Sequence, residues 1–197
     1  MSGFVSFCRI PPGGLPLGSS RSLTLHRSSV KYDPLVRSIT MAFGVGLIAL
    51  NIFIIYAALT QIPHPFLASL LVTMTVMLTL GVLLGTYLFS PRGFELSLRG
   101  IIVKRHLRSF EIPYEEIIEA KRVKWTWKGI RLCASGGLYG FFGLFYLKGI
   151  GKVWAYVTSR NDIILLRTKR GIQYMLSPED PEVFLEKLNT LIRMPRK

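Results

Sequence analysis

The chain has 197 residues, half of them hydrophobic, with 25 Lys and Arg against 11 Asp and Glu, for a formal charge of +14. A mean hydropathy of +0.39 beside so much positive charge points away from an ordinary soluble domain and suits a small membrane protein with one modest soluble domain. Two cysteines, Cys8 and Cys133, give no disulfide framework, and neither has a Cys or His at metal-ligand spacing, so no metal and no cofactor are expected.

Residues 1–33 mix Gly, Pro, Ser and Arg without periodicity, which predicts a disordered basic tail. They lack the continuous apolar core of a signal peptide. Asp33-Pro34 can then start a helix, Asp33 as cap and Pro34 in the first helical position, with Arg37 at headgroup level. Two charge-free runs follow, about 39–62 and 65–89, separated only by Pro63-His64-Pro65. About 24 residues at roughly 1.5 Å each give about 36 Å, enough for a hydrocarbon core of about 30 Å. Residues 34–90 are therefore expected to form a two-helix transmembrane hairpin.

Charge sets its orientation. Residues 1–38 carry five Lys and Arg against Asp33 alone, the interhelical turn carries none, and residues 90–197 carry twenty against ten acids. The positive-inside rule places both termini and the soluble part in the cytoplasm of a cell-membrane protein. No ionisable side chain lies deep in either run, which argues against a pump or transporter made of these helices alone. Gly81 and Gly85 form a small-xxx-small row for helix packing, with Ala42 and Gly46 as a matching row on the first helix. Packing within one chain is the favoured use of these rows, and a homo-oligomer seam is the alternative.

From residue 91 the pattern alternates. Phe94–Arg99, Ile101–Lys104 and Phe110–Tyr114 read as short strands, the last ended by Pro113. Ile117–Trp127 ends with Val123, Trp125 and Trp127 on one face and Lys124, Thr126 and Lys128 on the other. Leu132–Leu147 is charge-free but short for a span and rich in glycine. It is expected as a Gly/aromatic loop packed on the domain or dipping into the membrane interface, with Tyr139 and Phe142 among its interfacial rings beside Trp125 and Trp127. Strands at 153–158, 163–168 and 172–176 follow, then a helix whose Phe184, Leu188, Leu191 and Ile192 form one apolar stripe. Ser177 or Asp180 can cap it. About seven strands and one amphipathic helix are expected.

Several segments of residues 92–194 carry a resemblance: Gly-Leu-Tyr139-Gly140-Phe-Phe142-Gly143, Arg167-Thr168-Lys-Arg-Gly171, and Ser177-Pro178-Glu-Asp180-Pro181 before the last helix. In that order they resemble the bacterial pleckstrin-homology (PH-like) domain. The resemblance implies an α+β fold over residues 91–197, a bent antiparallel barrel or sandwich closed by the C-terminal helix, often with transmembrane segments attached. Eukaryotic relatives bind phosphoinositides through a basic first hairpin loop. Here that loop is only Arg99-Gly100, with Lys104 and Arg105 beyond it, so that recognition does not carry over.

Two basic clusters are candidates for facing anionic lipid: Lys104, Arg105 and Arg108, and Lys121, Arg122, Lys124, Lys128 and Arg131. The same Lys-Trp-Thr-Trp-Lys pattern could meet nucleic acid, a partner that membrane tethering disfavours. His26, His64 and His106 are scattered, and no nucleophile elbow or phosphate loop is present, so no catalysis is expected. The expected function is a membrane-anchored binding or scaffold module presenting a basic face to lipid headgroups or a protein partner. The alternative is a small accessory subunit of a larger membrane complex.

Overall fold

The computed structural model describes residues 14–16, 24–124, 129–161 and 163–193. Two short N-terminal strands, β1 (Leu15–Pro16) and β2 (Thr24–Ser29), precede a helical hairpin of α1 (Pro34–Gln61) and α2 (Pro65–Phe89). Nine strands follow: β3 (Pro91–Ser97), β4 (Gly100–Arg105), β5 (Phe110–Pro113), β6 (Ile117–Val123), β7 (Gly129–Gly136), β8 (Phe141–Leu147), β9 (Gly151–Val157), β10 (Ile163–Thr168) and β11 (Gln173–Leu176). Helix α3 (Pro181–Arg193) closes the chain.

Asp33 caps α1 as expected, its carboxylate accepting from Leu35 N at 3.3 Å, and Pro34 occupies the first turn. Both helices reach a mean hydropathy of 2.3, with only 6% of those windows buried within the chain. Their seam has a regular spacing. Among the half-buried or buried positions, Gly44, Leu47, Asn51, Ile54 and Ala58 on α1 and Ala68, Val72, Thr75, Thr79, Val82 and Thr86 on α2 recur at alternate steps of three and four, with Ala57, Leu83 and Gly85 half-buried beside them. That is the period of a left-handed helix pair. At its middle Asn51 Nδ2 donates to Thr79 Oγ1 at 2.8 Å, and the other hydroxyls turn back on their own helix, Thr75 to Leu71 O and Thr86 to Val82 O. The expected meeting of Ala42–Gly46 with Gly81–Gly85 is not what holds the pair. Ala42, Gly46 and Gly81 face outward, and a Cβ at Gly81 would meet nothing within 4 Å. Turning Asn51 toward Thr79 rotates that row off the seam.

The β domain comprises two sheets, ordered β1-β5-β4-β3-β2 and β6-β10-β11-β9-β8-β7. Phe94, Leu96, Ile101 and Phe110 from the first pack against Phe142, Tyr156, Ile164 and Tyr174 from the second, with Phe184 and Leu188 of α3 closing the core. The opposite face of the six-stranded sheet is buried too: Phe141, Phe145, Val157, Ile163 and Leu165 enclose a second cluster that takes in Val36 of α1. Val123 and Ala134, from the two edge strands, pack on that same cluster, so the sheet curls around it.

Four expectations change. The first concerns the tail, expected to be disordered over residues 1–33: residues 1–13 and 17–23 lie outside the described residues, and the described parts supply both edges of the five-stranded sheet. β1 pairs with β5, and β2 pairs antiparallel with β3 while Arg27 and Thr24 reach the buried Glu95 carboxylate at 3.4 Å each. Polar sequence hides such a strand because its partner lies about seventy residues away. The second is that Leu132–Leu147 is no loop but most of the β7–β8 hairpin, its glycines serving the turn and the close approach of neighbouring strands. At Gly140, φ is +124°, and a Cβ would sit 2.9 Å from Val157 O; at Gly143, φ is +113°, and it would sit 2.5 Å from Cys133 O. Third, residues 91–176 form nine strands, not about seven, and β9 with β11 is a parallel pair in a sheet expected to be antiparallel throughout. Lastly, Ser177 does not cap α3: its hydroxyl accepts from Thr158 N at 2.8 Å, fastening β9 to the segment after β11.

Candidate functional site

Two turns of the β domain dock on the base of the helical hairpin. In the β4–β5 turn, Leu107 N donates to Leu88 O at 3.0 Å, and the His106 ring lies 4.3 Å from that of Tyr87. In the β7–β8 turn, Tyr139 N donates to Thr40 Oγ1 at 3.1 Å, and Thr40 Oγ1 donates to Gly137 O at 3.3 Å. Tyr139 takes a left-handed backbone, φ 56°, with its ring edge-on to Tyr87 at 5.5 Å. A tyrosine adopts that conformation only where its surroundings enforce it.

The start of α1 is tied down equally firmly. Arg160 Nε donates to Asp33 Oδ2 at 2.9 Å, Asp33 N donates to Thr158 O at 3.0 Å, and Thr158 Oγ1 donates to Lys31 O at 2.9 Å. Burial pushes the Asp33 carboxyl up, but the hydrogen bonds from Arg160 and Leu35 N and the Arg160 charge together bring it below the usual carboxylate range. Burial, then the neighbouring Tyr87, raise the Tyr32 hydroxyl against a hydrogen bond with Ser90.

The basic candidates separate sharply in this frame. Arg105 does not face out: it is 7% exposed, donates through Nε and Nη2 to Arg108 O at 3.0 and 2.6 Å, and lies over the Phe110 ring at 5.1 Å. Its place inside the β4–β5 turn follows from strand alternation that sequence could not phase across a turn. Lys104 pairs with Glu95 at 2.7 Å, Lys121 with Glu119 at 3.7 Å and Arg122 with Glu182 at 2.8 Å. Arg108 is exposed, in a left-handed turn that the buried Arg105 clamps from beneath. Lys124 and Arg131 are also exposed: Lys124 follows Val123, which pairs with Ile163 at the end of the sheet nearest α1 and packs in the cluster that takes in Val36, and the Arg131 guanidinium lies beside Gly136, next to the β7–β8 turn. Trp125, Trp127 and Lys128 lie outside the described residues. Phe142 is a correction, being 2% exposed within the core and so no interfacial ring, whereas Tyr139 lies at the base of the helices with its ring against Tyr87.

Position brings three arginines to that base. Arg37 lies in the first turns of α1, Arg92 three residues after the end of α2, and Arg108 beside Leu107 on Leu88. All three are exposed, and none forms an ion pair among the described residues. Arg92 was not singled out from sequence, although being the first charge after a charge-free run marks it. Between α1 and the β7–β8 turn lies a cleft of about 250 Å³ lined by Tyr32, Val36, Arg37, Thr40, Met41 and Tyr139. A second cleft, about 290 Å³, opens between β2 and α3, where Lys187 Nζ lies 3.0 Å from His26 Nδ1. Among the described residues no three His, Cys, Asp or Glu side chains converge as a metal site requires.

A two-sheet β domain closed by a C-terminal helix and joined to a long apolar hairpin defines a small-domain class built for binding surfaces more than for buried chemistry. Within that class, the chain belongs to the Bacterial PH domain family, whose family model matches residues 85–192, from the last turn of α2 into α3. Comparisons with curated proteins and with solved structures gave no match.

Proposed function

We propose that the chain is a non-enzymatic, membrane-anchored binding module. In this reading α1 and α2 cross the bilayer and hold the PH domain against the cytoplasmic leaflet, where Arg37, Arg92 and Arg108 meet anionic headgroups. The observation that carries it is the exposure of the hairpin: Met41, Phe53, Leu59, Phe66 and Met77 are each more than 60% exposed, in helices that hold no charged side chain between Ile39 and Phe89. A core helix of a soluble protein would bury that surface, while lipid solvates it. The uncharged Pro63–Pro65 turn and the basic flanks support a cytoplasmic domain.

The test uses the full chain in vesicles containing spin-labelled phosphatidylcholine or phosphatidylglycerol. A cation near the leaflet contributes about 1 kcal/mol, so R92Q and R108Q should each lower the preference for the anionic label by roughly fivefold, and salt should weaken it in the parent chain. Equal association of both labels with the parent chain would sink the proposal.

The accessory-subunit reading rests on a different feature, the small-residue rows Ala42–Gly46 and Gly81 that face away from the intrachain seam. A stoichiometric membrane partner recovered with the solubilised chain supports it, and a second copy in that place makes it a homo-oligomer.

A further inference from the structure

We infer that the cleft between the first turns of α1 and the β7–β8 turn is a site for one anionic phospholipid taken from the surrounding leaflet. This rests on the membrane-anchored reading above and goes beyond it, from a basic collar to a single binding site. One wall is Tyr32, just before α1, with Val36, Arg37, Thr40 and Met41 of α1; the other is Tyr139. Ile39 begins the charge-free run, so the cleft straddles the border between polar and apolar surroundings. Its apolar side is Val36 and the exposed Met41, its cationic side Arg37.

Charge selects the ligand. Arg37 is the one charged side chain in the cleft lining, and no acid lines it. The nearest acid in sequence, Asp33, is already held by Leu35 N and by Arg160 at 2.9 Å. The guanidinium fork is left for a phosphodiester, whose oxygens it matches in geometry and charge. The opposite wall is built in advance, because the Thr40 hydroxyl and the Tyr87 ring hold Tyr139 in its left-handed turn. A site rigid before binding loses less entropy on capture. At about 250 Å³ the cleft is smaller than the roughly 300 Å³ at which pockets for whole drug-sized ligands begin. It suits a headgroup and the first methylenes, with the acyl chains continuing into the bilayer past Met41.

The test is native mass spectrometry of the full chain, reconstituted with mixed phosphatidylcholine and phosphatidylglycerol and then extracted in mild detergent. One phosphatidylglycerol per chain should survive, and phosphatidylcholine should not. R37Q should lower the retained fraction by about tenfold, the scale of a lost charge-assisted hydrogen bond. M41W, which fills the cleft at an exposed position without changing charge, should lower it as well, whereas K148Q, exposed in the β8–β9 turn, should leave it intact. Unchanged retention in both R37Q and M41W, or equal retention of the neutral lipid, overturns the site. If the spin-label preference persists in that event, only the cleft fails; if the preference is absent too, the membrane-facing reading fails with it.

Discussion

Phe53 and Phe94 are the same residue in opposite worlds. Phe53, in the middle of α1, is 66% exposed, while Phe94, in β3, is fully buried. In the helical hairpin the polar groups turn inward or back on their own helix, as Asn51 does with Thr79 and Leu47 O, and the apolar side chains point out. In the β domain the apolar side chains fill two clusters and, apart from the buried Glu95 and Arg105, the charges are at or near the surface, several in pairs such as Arg122–Glu182 and Arg170–Glu116. One chain thus follows two rules of burial, which the proposed membrane anchoring explains by matching its two regions to two solvents. The base of the hairpin is where the rules meet, and three exposed arginines there have no acidic partner among the described residues.

The contrast predicts opposite responses to substitution. Phe94→Ala should destabilise the β domain by about 3–5 kcal/mol, measured by denaturant unfolding of the full chain in detergent, because it leaves a cavity in the core. Phe53→Ala should change the same unfolding by less than about 0.5 kcal/mol. Ile52→Lys, at a position 63% exposed near the middle of α1, tests the solvent directly. It should cost about 2.5–3.5 kcal/mol of insertion and raise the carbonate-extractable fraction; an unchanged fraction would mean that this face of α1 meets water.

Smaller effects are expected at the junction and the seam. Asp33→Ala removes the α1 cap and the ion pair with Arg160, whose partners are 12% and 22% exposed, and should cost about 2 kcal/mol. The Asp33 carboxyl lies below its ordinary value of 3.8 in the folded chain, so its contribution is complete above about pH 4 and is lost as pH falls through the folded value. Asp33→Asn should flatten that part of the stability profile. Asn51→Leu should weaken hairpin association by about 0.6 kcal/mol, read from thermal unfolding in detergent, since polar contacts between membrane helices are modest.

Much of this was legible from residue order. The two charge-free runs, the Asp33-Pro34 start, the Pro63–Pro65 break and the α3 stripe are local patterns, set within one or two turns of helix. The family was legible as well, through short motifs at turns that sheet geometry requires. The candidate site was legible in part: Arg108, Tyr139 and Lys124 stand at the helix end of the β domain, but Arg105 and Phe142 are inside, and Lys121 and Arg122 are paired with acids. Composition could count these cations without pairing them, because Glu95 meets Lys104 and Glu182 meets Arg122 only across strands and helices distant in sequence.

By itself the sequence determined the hydropathy and charge of each segment and so the two charge-free helices, since these act over contiguous stretches whatever the fold. Tertiary structure decided the rest. It chose which helix face forms the seam, drew a polar N-terminal segment onto both edges of a sheet, and turned a glycine-rich stretch into a hairpin docked on Thr40. Each of these depends on partners far along the chain, and long-range pairing leaves little local trace in the residues that enter it.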